Sequence, residues 1–136
     1  MLKINEFIDK LRSSGLRPTK QRIKICEILF ETEKTFHFTI NDLAKKIKKN
    51  TNNKISLATV YNTVHAFEKK GYLKQIPINS SQAYFDTNVS DHHHFYDLKE
   101  RKLIDLKNSD VGPINIYKKI DGKKIKSIEV LVKLED

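Results

Sequence analysis

Cysteine is nearly missing: Cys26 stands alone among 136 residues. No disulfide can close within one chain, and no zinc site built from several thiolates can form. Tryptophan is absent, and with four glycines and three prolines the chain shows no internal repeat or low-complexity segment. No apolar run approaches the roughly 20 residues that cross a bilayer. The opening stretch, residues 1–10, also lacks the continuous apolar core of a signal peptide. The expectation is a soluble, unexported, cytoplasmic protein. A chain this short excludes a large enzyme and leaves room for one ordinary domain or two very small ones.

Acidic residues are scarce in one half only. Residues 1–74 carry 16 Lys and Arg against 7 Asp and Glu, a net of +9, whereas residues 75–136 carry 10 of each. A cationic surface attracts phosphate backbones through counterion release, so the first half is the nucleic-acid candidate. The charge alone fits a lysine-rich solvated face equally well. What is present otherwise reads as a folded chain: 38% hydrophobic residues at regular spacing and 32% charged residues for the surface.

Ile4, Phe7, Ile8 and Leu11 fall at helical spacing before Gly15. Thr19 can cap a second helix carrying Ile23, Cys26, Leu29 and Phe30, its apolar face widened by Ile25 and Ile28. Thr39 and Asp42 form a capping pair for a third helix with Ile40, Leu43, Ala44 and Ile47, followed by a polar loop at 50–53. Ser56 can cap a fourth helix whose buried stripe is Leu57, Val60, Val64 and Phe67, ending at Gly71. Residues 72–77 and 82–86 then read as two strands around a polar turn.

Three helices and a two-stranded wing, with one helix in front, form a winged-helix pattern. Such domains place the second helix of the pair, here the one beginning at Ser56, in the major groove. Its outer face shows Thr59, Tyr61, Asn62 and His65. These residues read either as ordinary exposed helix surface or as DNA contacts, and their setting in the basic half favours DNA.

Residues 92–99 and 102–106 read as a hairpin, 113–120 as a short helix, and 127–134 as a strand alternating Ile128, Val130, Val132 and Leu134 with polar residues. The resulting fold class is α+β: an N-terminal winged-helix DNA-binding domain, 1–87, and a small C-terminal α/β domain, 88–136. About 50 residues barely enclose a core, so dimerisation is the natural cover for the second domain's sheet.

Four of the five histidines fall at informative places, and His92, His93 and His94 are consecutive. Strand alternation points His92 and His94 one way and His93 the other. A His-x-His pair with Asp86 and Asp105 as available carboxylates suits divalent iron, manganese or zinc, while the lack of thiolates disfavours copper(I). The run also reads as a merely polar strand. A small hydrolase using the cluster to activate water is the alternative from another class, but no separate general base is apparent.

Gly-Leu-Arg-Pro-Thr-Lys-Gln-Arg at 15–22, Leu-Ala-Thr-Val-Tyr at 57–61 and Tyr-Phe-Asp followed by His-His-His across 84–94 together resemble the ferric uptake regulator family, over about residues 5–133. The resemblance implies a homodimer on AT-rich, inverted-repeat double-stranded DNA. It implies Tyr61 at thymine methyls or bases and Arg17, Lys20 and Arg22 near phosphates, with Ser56, Thr59, Asn62 and His65 on the same reading helix. It also implies a regulatory metal site at His37, Asp86, His92, His94 and Asp105, joining the two domains.

The Cys-x-x-Cys pairs that hold a structural zinc in most members have no counterpart. The positions near Asp97 and Glu100 are acidic, and the chain ends after its last strand. Both features resemble the family's iron-response branch, as does the run 92–96, which makes His92, His93 and His94 haem candidates. The implied activity is transcriptional control of iron or haem genes, with a peroxide- or manganese-responsive repressor as the alternative, and not enzymatic.

Overall fold

The computed structural model describes residues 2–50 and 54–136, and positions 51–53 of the expected polar loop lie outside them. The chain divides into two compact units, Met1–Val89 and Ser90–Asp136.

In the first unit, α1 (Leu2–Ser13) buries Phe7 and Leu11 and leaves Ile4 exposed. Helix α2 (Lys20–Phe30) starts where the Thr19 side chain accepts from the Arg22 N–H, and it buries Ile25, Cys26 and Leu29. Before α3 (Ile40–Asn50), Asp42 N–H donates to the Thr39 hydroxyl at 3.1 Å and Thr39 N–H donates to the Asp42 carboxylate at 3.3 Å. This reciprocal box satisfies two backbone donors that the first turn leaves open.

Helix α4 (Leu57–Lys70) is capped by Ser56 and ended by Gly71 at φ 95°, a left-handed conformation that glycine adopts without a side-chain clash. Val60, Thr63, Val64 and Phe67 are its buried residues. Leu57, expected in that stripe, is 54% exposed. Helical side chains lean toward the N-terminus, so the side chain of the first residue reaches beyond the turn that the core covers.

Strand β1 (His37–Phe38), absent from the sequence reading, pairs antiparallel with β3 (Ala83–Asp86), and β2 (Lys74–Pro77) pairs with the other edge of β3. Two residues have too little periodicity to announce a strand. One core joins Leu11, Cys26, Leu43, Val64, Phe67 and Phe85, so α4 is gripped by the other helices and by the sheet.

The second unit is a three-stranded sheet with the strand from the histidine run in its centre. Strands β4 (His93–Asp97) and β5 (Lys102–Leu106) are antiparallel, and β6 (Leu131–Leu134) lies parallel to β4. At the hairpin turn the Asp97 carboxylate accepts from the backbone N–H groups of Lys99 and Glu100, each at 3.0 Å. Leu98 N–H donates to Leu134 carbonyl at 3.0 Å, and Lys99 and Asp136 form an ion pair at 2.6 Å, which fasten the final strand to the hairpin.

The helix expected at 113–120 does not form. A 3-10 turn at Asn108–Asp110 is the only helical element among the described residues of this unit. Gly112 and Pro113 interrupt the chain, and β-branched Ile114 and Ile116 recur at a spacing of two rather than the helical three or four. The segment 112–127 is exposed, and it reverses at Asp121-Gly122, where Lys123 N–H donates to the Ile120 carbonyl at 3.1 Å. The terminal strand is also shorter than the 127–134 expected, although the Val130 carbonyl still accepts from His94 N–H.

Burial pushes the Cys26 thiol up from 9.0 to about 12. An acid whose pKa rises on folding stabilises the fold below its unfolded value and loses that contribution as pH climbs through the folded one. Between pH 9.0 and about 12 the stability should therefore fall with a Cys26-dependent slope of up to roughly 1.4 kcal/mol per pH unit. Denaturant titrations of wild type and Cys26→Ala across that range check this; equal slopes would contradict it.

Candidate functional site

Three prospective metal ligands meet within the second unit. His94 on β4 is the register partner of Asp105 on β5, which brings opposite side chains on one face together. His94 Nε2 lies 3.1 Å from Asp105 Oδ1, and His92 Nε2 lies 3.6 Å from the same oxygen. The two imidazoles are 4.4 Å apart between centroids. Ligand atoms at roughly 2.0–2.2 Å from one ion sit about 3–3.5 Å from each other at tetrahedral or octahedral angles. The three residues thus fit one divalent ion with only a small adjustment.

His92 Nδ1 lies 2.7 Å from the Ser90 carbonyl. A carbonyl can only accept, so Nδ1 carries a proton, and in the neutral ring this leaves Nε2 as the nitrogen that can hold a metal, the second-shell arrangement typical of histidine ligands. His93 points elsewhere, as strand alternation requires: its Nδ1 accepts from Val130 N–H at 2.9 Å. That bond ties β4 to the chain entering β6 and gives His93 a structural partner.

His37 and Asp86 belong to the first unit, where they are register partners on β1 and β3. Asp86 is 1% exposed, with Lys74 opposite it on β2, and its carboxylate accepts from Asn88 N–H at 2.9 Å. A carboxylate buried this deeply needs cationic or hydrogen-bonding company.

The prospective nucleic-acid face is built on α4. Tyr61 is 52% exposed, its ring 4.2 Å from that of His65, which meets Phe85 edge-on at 5.4 Å. Asn62 is exposed beside them. The Ser56 and Thr59 hydroxyls lie 2.8 Å apart within the cap, so both are engaged in starting the helix. Arg22 donates from Nη1 to the Arg17 carbonyl at 2.9 Å, bracing the loop before α2, while Arg17 and Lys20 are exposed.

Sequence reasoning missed a groove of about 580 Å³ beside the start of α4, lined by Lys45, Lys48, Lys54, Ile55, Ser56 and Leu57. Lysines on α3 read as a solvated helix face. Only folding sets them against the next helix.

A winged-helix unit with a lysine-lined groove beside α4, followed by a unit that gathers two histidines and an aspartate, is the architecture of a DNA-binding regulator with a candidate metal site. The sequence profile of the Ferric uptake regulator family matches residues 13–133, and the chain belongs to that family. It is 31% identical to the peroxide operon regulator of Bacillus subtilis over 103 residues, covering 76% of this chain and 69% of the relative. It is 29% identical to the peroxide-responsive repressor of Staphylococcus aureus strain Mu50 over 82% of this chain and 73% of that one.

Among solved structures, the ferric uptake regulator from Pseudomonas aeruginosa with manganese superposes with a TM-score of 0.68 at 20% identity, over 100% of this chain and 98% of that one. A zinc-bound manganese uptake regulator gives 0.64 at 22% identity, with 98% of each chain covered. These likenesses establish the α+β fold.

Single substitutions should separate ligands from scaffold. His94→Ala and Asp105→Ala are each expected to weaken manganese or zinc binding by about tenfold or more. His93→Ala should leave affinity within about threefold while lowering stability by about 1–3 kcal/mol, because it orphans the Val130 N–H. Isothermal titration and thermal melts of the three variants measure both. Loss of metal binding on changing His93 would reverse the assignment.

Proposed function

We propose that the chain is a homodimeric repressor whose hold on double-stranded DNA is set by one divalent ion, bound by His37, Asp86, His92, His94 and Asp105. The convergence of His92, His94 and Asp105 carries this reading, supported by the register pair His37 and Asp86 at the end of the strand that leads into the histidine run. Arg17, Lys20 and the lysine groove would meet phosphates, and α4 would lie in the major groove.

Ligands drawn from both units make occupancy sensitive to their arrangement, which is how an ion can bias DNA affinity. All-nitrogen and oxygen ligands suit iron(II), manganese or zinc. Work on chromosomal DNA would be carried out in the cytoplasm. Among the described residues no helix is long and apolar enough to cross a membrane.

The second copy would cover the exposed segment 112–127, where Tyr117 is 90% exposed and Ile116, Ile120 and Ile125 are also uncovered. Lys118, Lys119, Lys123, Lys124 and Lys126 are spaced among these apolar residues.

Peroxide sensing is favoured over haem sensing as the physiological role. The curated relatives above are named for peroxide, and an iron(II) held by histidines is oxidisable. Of the three consecutive imidazoles, His93 would have to give up its bond to the Val130 N–H to ligate haem.

Gel shifts on a duplex selected in vitro test the reading. Binding should need added metal and fall about 1000-fold between roughly 50 and 200 mM salt, as for six or more phosphate contacts. Peroxide should abolish binding by the iron-loaded protein and spare the manganese-loaded one, with oxidised His37 or His92 in the mass spectrum. Metal-independent binding with a shallow salt slope would sink the regulator reading. Equal indifference of both metal forms to peroxide would remove the peroxide role alone.

A further inference from the structure

The apolar stripe of α4 runs one turn further toward the N-terminus than the core beneath it. Leu57 is 54% exposed and Tyr61, four residues on, is 52% exposed. Residues four apart are neighbours on one helix face. His65 packs behind the Tyr61 ring at 4.2 Å and rests on Phe85 at 5.4 Å. The tyrosine is thus backed by the fold while its outer side and Leu57 face solvent.

What surrounds this pair indicates what it meets. Lys45, Lys48 and Lys54 line the groove beside Leu57. Three lysines along the groove that Leu57 also lines give this edge a positive charge, which suits the phosphate backbone that flanks any helix entering the major groove. Residues 57–66 include no lysine or arginine, so these turns lack the fork that reads guanine. Their exposed side chains are Leu57, Ala58 and Tyr61, with the amide of Asn62, and Leu57 and Tyr61 are the large apolar ones. In the major groove thymine alone among the bases carries a methyl group, and an amide matches the donor and acceptor of adenine.

We propose that Leu57 is a specificity-determining residue that reads a thymine 5-methyl group in the major groove, at the leading end of the stripe it shares with Tyr61. The proposal rests on the DNA-binding reading above. The leucine opens the first turn, where recognition helices reach base edges. Its exposure leaves the core intact when the side chain is shortened.

Replacing each thymine of the selected duplex singly with deoxyuridine removes one methyl and nothing else. Fluorescence anisotropy on manganese-loaded full-length protein then compares wild type, Leu57→Ala and Leu57→Met. At one thymine per half-site the wild type should lose about three- to fivefold in affinity, the size of one methyl taken from an apolar contact. Leu57→Ala should bind the thymine duplex more weakly by at least that factor and no longer sense the methyl. Leu57→Met should keep the discrimination, and it decides the matter should the alanine variant melt early.

Indifference of the wild type to every methyl, or full methyl discrimination by Leu57→Ala, would overturn the proposal while leaving the regulator reading standing. Failure of the wild type to select any duplex would remove both.

Discussion

A two-residue pairing, His37–Phe38 against Phe85–Asp86, holds together most of what matters in the first unit. Phe38 and Phe85 stack at 6.1 Å between centroids and enter the core that grips α4. The neighbouring register position sets His37 beside Asp86. One short antiparallel contact therefore links the seating of α4 to the placement of two prospective ligands. Such a strand has little stability of its own. It persists because its alternate side chains are divided between core and site.

The same division recurs across the molecule. Alternation along β4 sends His94 to Asp105 and His93 to the Val130 backbone, so one run of three identical residues supplies both prospective ligands and scaffold. Along α4, Val60, Val64 and Phe67 are buried while Leu57, Tyr61 and Asn62 remain outside. A period of two in the strand and 3.6 in the helix suffices to separate the roles. Changing a scaffold member should disturb stability before it disturbs recognition.

Helical periodicity and capping chemistry made the first unit legible. Thr19, Thr39 with Asp42, Ser56 and Gly71 mark helix ends that the structure places at those residues or beside them. Local rules act there, and tertiary packing agrees with them. Legibility failed where the deciding contact is remote. Strand β1 exists only because β3 lies alongside it, and Leu57 is apolar but lies beyond the edge of the core. The exposed 112–127 segment carries enough isoleucine and lysine to imitate an amphipathic helix. Its Asp-Gly turn and its spacing of two speak for extended chain instead.

Of the prospective metal ligands, His92, His94, Asp86 and Asp105 were proposed from strand alternation and nearby carboxylates, and His37 from family resemblance alone. His92, His94 and Asp105 are close in the fold because β4 and β5 form a hairpin, so strand alternation could propose them. His37 lies 49 positions before Asp86, and no periodicity connects the two.

In the proposed regulator these two groups of ligands have different work. An ion bound only by His92, His94 and Asp105 would have the same affinity in every arrangement of the two units, and a ligand without differential affinity shifts no equilibrium. Those three residues set how tightly an ion is held. Any bias toward the DNA-competent form must come from His37 and Asp86, whose positions are fixed to the reading helix through β1 and β3. Loss of either should uncouple metal binding from DNA binding while the hairpin ligands still hold an ion.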